Sequence, residues 1–422
     1  MVYVVRRPPR PEAPDAPAPA SARAPATGAP ASLACAPPPR AALPVLRDAL
    51  PPLEEMLRAR AVPGALYERT EHGAIRCTAC AHRCVMEEGR TGACGVRFHQ
   101  GGELRVPFGY VARRYIRAVE TNTIYHVRPG ALALTFGMYG CDLRCPYCHN
   151  WRVSQALREG VDDEAPLEVR ADELAQQAHD AGCEVICGAY NEPMISAEWA
   201  RAVFTEAKAR GMLTAMISDG NTTPEALAYM RPALDVYRVD LKGFDNAQYK
   251  TLGGRLAPVL AGIREAHRLG YWVEVVTLVV PGFNDDQRGL RQLADELASI
   301  DPDIPWHLNA FYPRYKLASR PPMAGFPLMD AAGMAMARGL RYVYVSNLAS
   351  EVRELSHTRC AACHVVLVER DDYATRAVHL DADGACPRCG AKAPGLWAPR
   401  SIPALPAPAA AAGEQGWPDE MP

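Results

Sequence analysis

Three groups of cysteines stand at spacings that bind metals. The middle group lies in Gly140-Cys141-Asp142-Leu143-Arg144-Cys145-Pro146-Tyr147-Cys148-His149-Asn150, a C-x3-C-x2-C pattern. Three thiolates on one tight loop can hold three corners of an iron–sulfur cube and leave the fourth iron open. The same spacing also suits a zinc loop completed by His149 or a remote ligand. The first group places Cys77, Cys80, Cys84 and Cys94 within 18 residues. Four sulfur ligands suit structural zinc and an auxiliary iron–sulfur cluster alike. His82 and His99, beside them, read as solvated. The third group is Cys360-x2-Cys363 and Cys386-x2-Cys389, with 22 residues between the pairs. It reads as a zinc ribbon, with a rubredoxin-like iron site as the redox alternative, although the gap exceeds the usual ribbon spacing. So short a unit cannot bury a sufficient core, so a metal would supply much of its folding energy. Cys183 and Cys187 flank a strand-like run and read as small buried apolar residues. Cys35 lies in a Pro/Ala-rich stretch and reads as incidental.

The wider composition frames this chemistry. The 422 residues include 14 Cys and 38 Pro. The start, MVYVVRRPPRPEAPDAPAPA, has no continuous apolar core or cleavage pattern, so no secretory signal is expected. The longest strongly apolar run, near Val273–Val280, falls far short of a bilayer span. A cytoplasmic protein without membrane contact is expected, and there clustered cysteines point to metals or catalysis rather than disulfides. Lys+Arg 46 against Asp+Glu 48 gives a net charge of -2. That balance lacks the basic surface of a nucleic-acid binder, which weakens a reading of the third group as a nucleic-acid-binding ribbon.

The elements that must position these residues are legible in the hydrophobic pattern. Residues 1–52 and 398–422 are rich in Pro and Ala and are expected to be disordered tails. Residues 53–130 form a four-cysteine module with strand-like sequence at Leu104–Val111. From 131 to 350, short apolar runs alternate with amphipathic helical stretches. The runs are 131–138, 183–190, 213–218, 236–243, 272–280, 306–311 and 342–347. The helical stretches are 170–181, 195–210, 224–230, 256–269, 286–299 and 328–339. This alternation predicts an α/β fold with parallel βα units, a full or partial (β/α) TIM-type barrel. Functional residues then belong at the C-terminal ends of the strands, where the Cys141 loop falls. A doubly wound sheet is the competing architecture, but no Gly-rich dinucleotide fingerprint follows the first strand. Residues 351–397 form the zinc-ribbon-like domain, with a hairpin between its cysteine pairs.

The stretch GMYGCDLRCPYCHNWRVSQA resembles the signature of radical S-adenosylmethionine (SAM) enzymes. With Tyr190-Asn191-Glu192-Pro193, Val239-Asp240-Leu241-Lys242-Gly243, WVEVVTLVVPGFNDD, Trp306-His307, Tyr312-Pro313 and YVYVSN, it is similar to the radical SAM enzymes of the AmmeMemoRadiSam system. Those are akin to pyruvate-formate-lyase-activating enzymes. The resemblance covers roughly 53–397 and implies a radical SAM core. It implies that Cys141, Cys145 and Cys148 bind a catalytic [4Fe–4S] cluster whose open iron chelates SAM. Tyr147 would lie against the adenine. Asn191 and Glu192 fall where relatives carry the Gly-Gly-Glu-Pro motif that holds the SAM amino group, with both glycines replaced here. Ser218 and Asp219 end a strand where relatives show Thr-Asn-Gly, and Asp219 departs from that pattern. Asp240 and Lys242 would lie near SAM, with an ion pair between them as the structural alternative. His307 is expected to end the sixth strand on the SAM side, and Glu274 to sit inside the barrel.

The resemblance implies reductive cleavage of SAM to a 5′-deoxyadenosyl radical, which abstracts hydrogen from an unknown substrate, protein or small molecule. Kinship with activating enzymes suggests installing a glycyl radical on a partner protein. It also implies a reductant such as flavodoxin or ferredoxin, and AMMECR-type and Memo-type partner proteins. The alternative from the cysteines alone is a multi-cluster electron-transfer or metal-scaffold protein without SAM chemistry. The unpaired triplet speaks against it, because a simple carrier has four ligands per cluster.

Overall fold

The computed structural model describes residues 51–161, 165–348, 352–381 and 383–397. Cys35 and the two Pro/Ala-rich tails lie outside them, save for Pro51 and Pro52. At the centre is one eight-stranded sheet whose strands run in chain order: β1 (Arg113–Ala118), β2 (Leu132–Gly137), β3 (Val185–Gly188), β4 (Leu213–Ser218), β5 (Val236–Asp240), β6 (Trp272–Val279), β7 (Trp306–Ala310) and β8 (Val343–Ser346). From β2 to β8 every pairing is parallel, and β1 joins β2 antiparallel. Among the described residues β1 and β8 do not pair, so the sheet stays open, the partial form of the expected architecture.

The two faces of the sheet are covered differently. Leu134, Phe136, Ile186, Met216 and Tyr237 pack with residues of the flanking helices, such as Ala175 and Phe204. The alternate residues Ala133, Val185, Cys187, Ala215 and Val236 pack instead on Val119, Ile124 and Val127 of the segment between β1 and β2. Alternate side chains point to opposite faces of a strand, so helices cover one face and this segment plugs part of the other. Doubly wound sheets carry helices on both faces. The helices begin where cap chemistry allows. Thr223, Asp245 and Asp286 accept backbone N–H groups at the starts of Pro224–Met230, Asn246–Leu252 and Gln287–Ile300.

The large sheet starts earlier than the boundary at 131 expected from the sequence. RRYIRA, β1, reads as polar because it is an edge strand with mostly exposed side chains. Ahead of it, helix Leu53–Ala59 and two small antiparallel sheets carry the first cysteine group. This module shares its core with the large sheet. A buried ion pair also ties the two parts. Arg97 donates to both carboxylate oxygens of Glu198, at 2.7 and 2.8 Å, and to Ile195 O at 2.9 Å.

Residues 352–397 form a small three-stranded antiparallel sheet, Thr358–Arg359, Val366–Asp371 and Ala374–Val378, with its own core of Cys360, Leu367, Cys386 and Ala393. It docks on the plug segment. Arg370, wholly buried, donates to Tyr125 O and Thr358 Oγ1, each at 2.7 Å, and its guanidinium lies 4.3 Å over the Tyr125 ring. Among the described residues no helix is long and apolar enough to cross a membrane.

His126 sits at this junction. Its Nδ1 donates to Pro394 O at 2.7 Å, so Nε2 accepts from Tyr344 Oη at 2.6 Å. The neutral ring with its proton on Nδ1 satisfies both partners. Burial pushes its pKa down to about 4, against the pull of Glu274. A depressed folded-state value means the unfolded chain takes up the proton first. The stabilisation is therefore complete above pH ~6.5 and is lost as pH falls towards 4, a cost of roughly 3 kcal/mol. Urea denaturation at pH 7 and pH 4 is expected to show this loss, and His126→Gln to reduce it.

Candidate functional site

The cysteine triplet follows β2 directly. The chain leaves Gly137, passes Met138 and Tyr139, and turns at Gly140, whose φ is +90°. A Cβ there would lie 2.7 Å from Cys94 O and 2.8 Å from a Val96 methyl. Only glycine satisfies both the angle and the approach. Gly140→Ala is expected to separate the Cys141 and Cys94 loops and to cost about 2 kcal/mol or more, measured by thermal unfolding. A variant as stable as the parent would mean that the approach is not needed.

The loop is held from several sides. Arg158 donates to Cys141 O at 2.6 Å and Leu143 O at 2.9 Å, Gln155 donates to Leu143 O at 3.1 Å, and Arg144 N donates to Leu252 O at 2.8 Å. Burial raises all three thiol pKa values. Cys145 is pushed up to about 12, although Lys242 pulls the other way. Cys141 rises further through burial and then Asp219 and Asp142, whereas Ser154, 3.2 Å from Cys148 Sγ, partly offsets the rise there. Thiols this reluctant to ionise become ligands when a metal displaces the proton.

The surroundings fit a bound group. The hydroxyl of Tyr147 is buried with no hydrogen-bond partner, and one oxygen each of Asp142 and Asp219 has none beyond the proton the two carboxyls can share. Buried polar atoms of this kind call for a partner. Ligand atoms of Cys141, Asp142 and Asp219 lie within 4.8 Å of one another. Tyr147 stands against Phe283, ring centres 5.7 Å apart. Three thiols, an unpartnered tyrosine hydroxyl and a buried carboxyl pair around one strand mouth suit an iron–sulfur cluster with a polar ligand.

Asn191, Glu192, Ser218, Asp240 and Lys242 lie at or just past strand ends. Asn191 Oδ1 accepts from Met138 N at 3.1 Å, which ties the β3 end to the cysteine strand. Glu192 is buried, and its carboxylate accepts from Met194 N at 2.9 Å, Ser218 Oγ at 3.0 Å and Asp219 N at 2.6 Å. Burial and then Asp219 push its pKa well above the usual range. Ser218 Oγ also accepts from Tyr237 Oη and Gly220 N, at 2.9 and 3.0 Å. These two side chains lock strand ends together, with their hydrogen bonds already made inside the protein. Asp240 pairs with Lys242 at 3.0 Å and Arg238 at 2.6 Å. Burial opposes the charge on Lys242, but Asp240, then Cys145, hold the amine above its ordinary range.

His307 was expected to end its strand. It is the second residue of β7, near the strand's start, and is fully buried. Its Nε2 lies 2.7 Å from Glu274, and its ring packs on Tyr125 and Tyr344, centres 4.8 and 4.9 Å away. Glu274 also accepts from Tyr125 N, His126 N and Trp272 Nε1. Burial opposes its ionisation, yet these partners, His307 first, hold its pKa down to about 2. The pair anchors the plug segment, while His307 Nδ1 is buried without a partner, and Val276 of β6 pairs with both His307 and Asp240 across the sheet.

The sequence reading passed over three residues. Arg238 precedes Asp240 and Lys242 at two-residue spacing, the period that places them on one face of β5. Asp142 sits inside the cysteine motif. Asn221 donates to it at 2.8 Å. The neighbouring histidines are not solvated. His99 is buried with Nδ1 3.0 Å from Met86 O, and His82 is half-buried with Nε2 3.2 Å from Asp142 O. Cys183 and Cys187 are buried core residues, as expected.

In the 352–397 unit all four cysteine sulfurs lie within 4.8 Å of one another, with Cys360–Cys389 and Cys363–Cys386 each 3.6 Å apart. Four sulfurs about 2.3 Å from one zinc sit about 3.8 Å apart, so the set fits a single tetrahedral ion.

Comparison with known proteins agrees with this geometry. The family model described as Radical SAM superfamily matches residues 136–294. A protein of Methanocaldococcus jannaschii, named Uncharacterized protein MJ0808, is 32% identical over 333 residues, covering 77% of this chain and 97% of its own. The pyruvate formate-lyase-activating enzyme of Staphylococcus aureus is 28% identical over 183 residues, covering 41% of this chain and 71% of its own. Among solved structures, a radical SAM methyltransferase from Sphaerobacter thermophilus matches with a TM-score of 0.40 at 14% identity, over 68% of this chain and 78% of that one.

Proposed function

Because the chain belongs to the radical SAM superfamily and is a radical SAM enzyme, we propose that Cys141, Cys145 and Cys148 ligate its [4Fe–4S] cluster, and that the open iron takes SAM. The observation that carries this is the convergence of three thiols, the unpartnered Tyr147 hydroxyl and the buried Asp142–Asp219 carboxyl pair at one strand mouth. When bound, the cluster supplies the electron that cleaves SAM to methionine and a 5′-deoxyadenosyl radical, which takes hydrogen from the substrate.

The protein's own part is positioning. Tyr147 and Phe283 offer an aromatic wall for the adenine, and the free Tyr147 hydroxyl a hydrogen bond. Asn191, Glu192 and Ser218 hold the backbone of the β3 and β4 ends in place for the SAM amino acid moiety. Lys242, kept charged by Asp240, sets a positive charge beside the cluster thiols. His307 stays a proposed SAM-side residue through its unpartnered Nδ1, while its Nε2 keeps the plug segment in place through Glu274. The proposed division is the first module, the large sheet and the last unit, with one structural zinc on Cys360, Cys363, Cys386 and Cys389.

The substrate proposed first is a glycine of a partner protein, as the similarity to a pyruvate formate-lyase-activating enzyme suggests. The exposed edge strand β1 supports access for an extended chain. AMMECR-type and Memo-type proteins are the partners to test first, with flavodoxin or ferredoxin as reductant. A reducing compartment such as the cytoplasm suits so many metal-spaced cysteines. The test is anaerobic reconstitution with iron and sulfide, then dithionite and SAM. Formation of 5′-deoxyadenosine is expected, and failure of the reconstituted protein to bind SAM overturns the proposal.

A further inference from the structure

We propose that Cys77, Cys80, Cys84 and Cys94 hold a second iron–sulfur cluster rather than a zinc ion, and that it feeds single electrons to the cluster on Cys141, Cys145 and Cys148.

The nuclearity follows from sulfur spacing. In the 352–397 unit four sulfurs close to within 4.8 Å of one another, as a single ion requires. Among the described residues, no three sulfurs of Cys77, Cys80, Cys84 and Cys94 do so. The sulfurs of Cys141, Cys145 and Cys148 do not close to that distance either. Cysteines of a cluster bind different irons, so their sulfurs stand further apart than four sulfurs on one ion. The first group is nevertheless one group: Cys77 N donates to Cys84 O at 3.0 Å, Arg83 N to Cys80 O at 3.0 Å, and Ala93 N, beside Cys94, to Cys84 Sγ at 3.3 Å. Neither nearby histidine competes as a ligand, since His82 turns to Asp142 O and His99 to Met86 O.

The relay follows from contact. Arg158 donates to Ala93 O and to Cys141 O, each at 2.6 Å, so one guanidinium joins the residue before Cys94 to the first cysteine of the triplet. Cys94 O packs where a Gly140 side chain would start. On the Cys80 side, Ala81 N donates to Asn221 O at 2.9 Å, and Asn221 Nδ2 donates to Asp142 at 2.8 Å. The two cysteine loops thus touch through backbone, with no intervening layer. The far side of the first group reaches solvent, where Cys84 is half-buried and Val85 is 58% exposed. An external one-electron carrier of the flavodoxin or ferredoxin class docks there and reduces the first cluster. That cluster then gives up one electron, and the triplet cluster gains it.

The cluster assignment stands apart from the radical reading, whereas the relay rests on it. Metal analysis of the unsubstituted chain, reconstituted anaerobically with iron and sulfide, is expected to give about eight irons and one zinc. About four irons and two zincs would overturn the assignment. The full-length variant Cys141→Ala/Cys145→Ala/Cys148→Ala, with no capacity for SAM cleavage, is expected to keep about four irons and a reduced-cluster electron paramagnetic resonance signal. Loss of all iron from this variant would again overturn it. For the relay, Cys80→Ala/Cys84→Ala should leave dithionite-driven 5′-deoxyadenosine formation within about threefold while flavodoxin-driven formation falls at least about tenfold. Equal losses with both reductants would overturn the relay. Absence of product from the unsubstituted chain would sink the radical reading and leave the iron count standing.

Discussion

Cys145→Ala is expected to abolish 5′-deoxyadenosine formation, by at least about a thousandfold, while the fold survives. The thiol is buried at the strand mouth, and its elevated pKa, about 12, marks a sulfur that ionises only for a metal. The loop does not depend on that sulfur for its shape. Its conformation rests on the backbone bonds to Arg158, Gln155 and Leu252. Removing one buried sulfur should cost only about 1 kcal/mol, a few degrees in melting temperature. Chromatographic quantification of 5′-deoxyadenosine beside a thermal melt checks both halves. Product retained by a folded variant would remove the cluster from this loop.

Arg370→Ala is expected to cost about 3–5 kcal/mol, a large share of the stability of an ordinary protein. The guanidinium satisfies Tyr125 O, Thr358 Oγ1 and Ser356 O, and it stands 3.7 Å from Glu120, with both side chains wholly buried. Truncation strands the Glu120 carboxylate, which then keeps only Gly130 N and Thr375 Oγ1 as donors. Adding Glu120→Leu should recover part of the loss, because removing both charges avoids the stranded one. Denaturant midpoints of the single and double variants decide the matter. A loss under about 1 kcal/mol would mean that the ion pair does not lock the last unit to the plug.

The order and identity of the parallel strands were legible because strands buried on both faces are continuous apolar runs. LTAMIS coincides with β4, and the helical stretch 224–230 coincides with helix Pro224–Met230. β1 was missed because edge strands carry charge, so RRYIRA has no apolar signature. Helix Leu53–Ala59 was missed because LEEMLRA is only two turns long. At the site, the cysteines, Tyr147, Asp240 and Lys242 fell at one mouth because motif and strand end coincide. The positions of His307 and Glu274 could not be read that way. Their partners, Tyr125 and Tyr344, come from distant segments, and sequence spacing holds no trace of such pairing. Arg97, Arg370 and His99 were illegible for a related reason. Burial of a polar side chain depends on a partner supplied elsewhere in the chain.

The sequential strand order has a consequence for synthesis. Each new strand can dock on the one just made, so the sheet can grow edge by edge as the chain leaves the ribosome. The base is different. Glu120, Tyr125 and His126 emerge early, but Arg370 and Pro394, which neutralise and cover them, are made about 250 residues later. At ~5–20 residues per second, the half-built protein carries an uncovered charge and aromatic face for tens of seconds. The last unit is then the closing step of assembly, and a nascent chain stalled before it presents that face to chaperones.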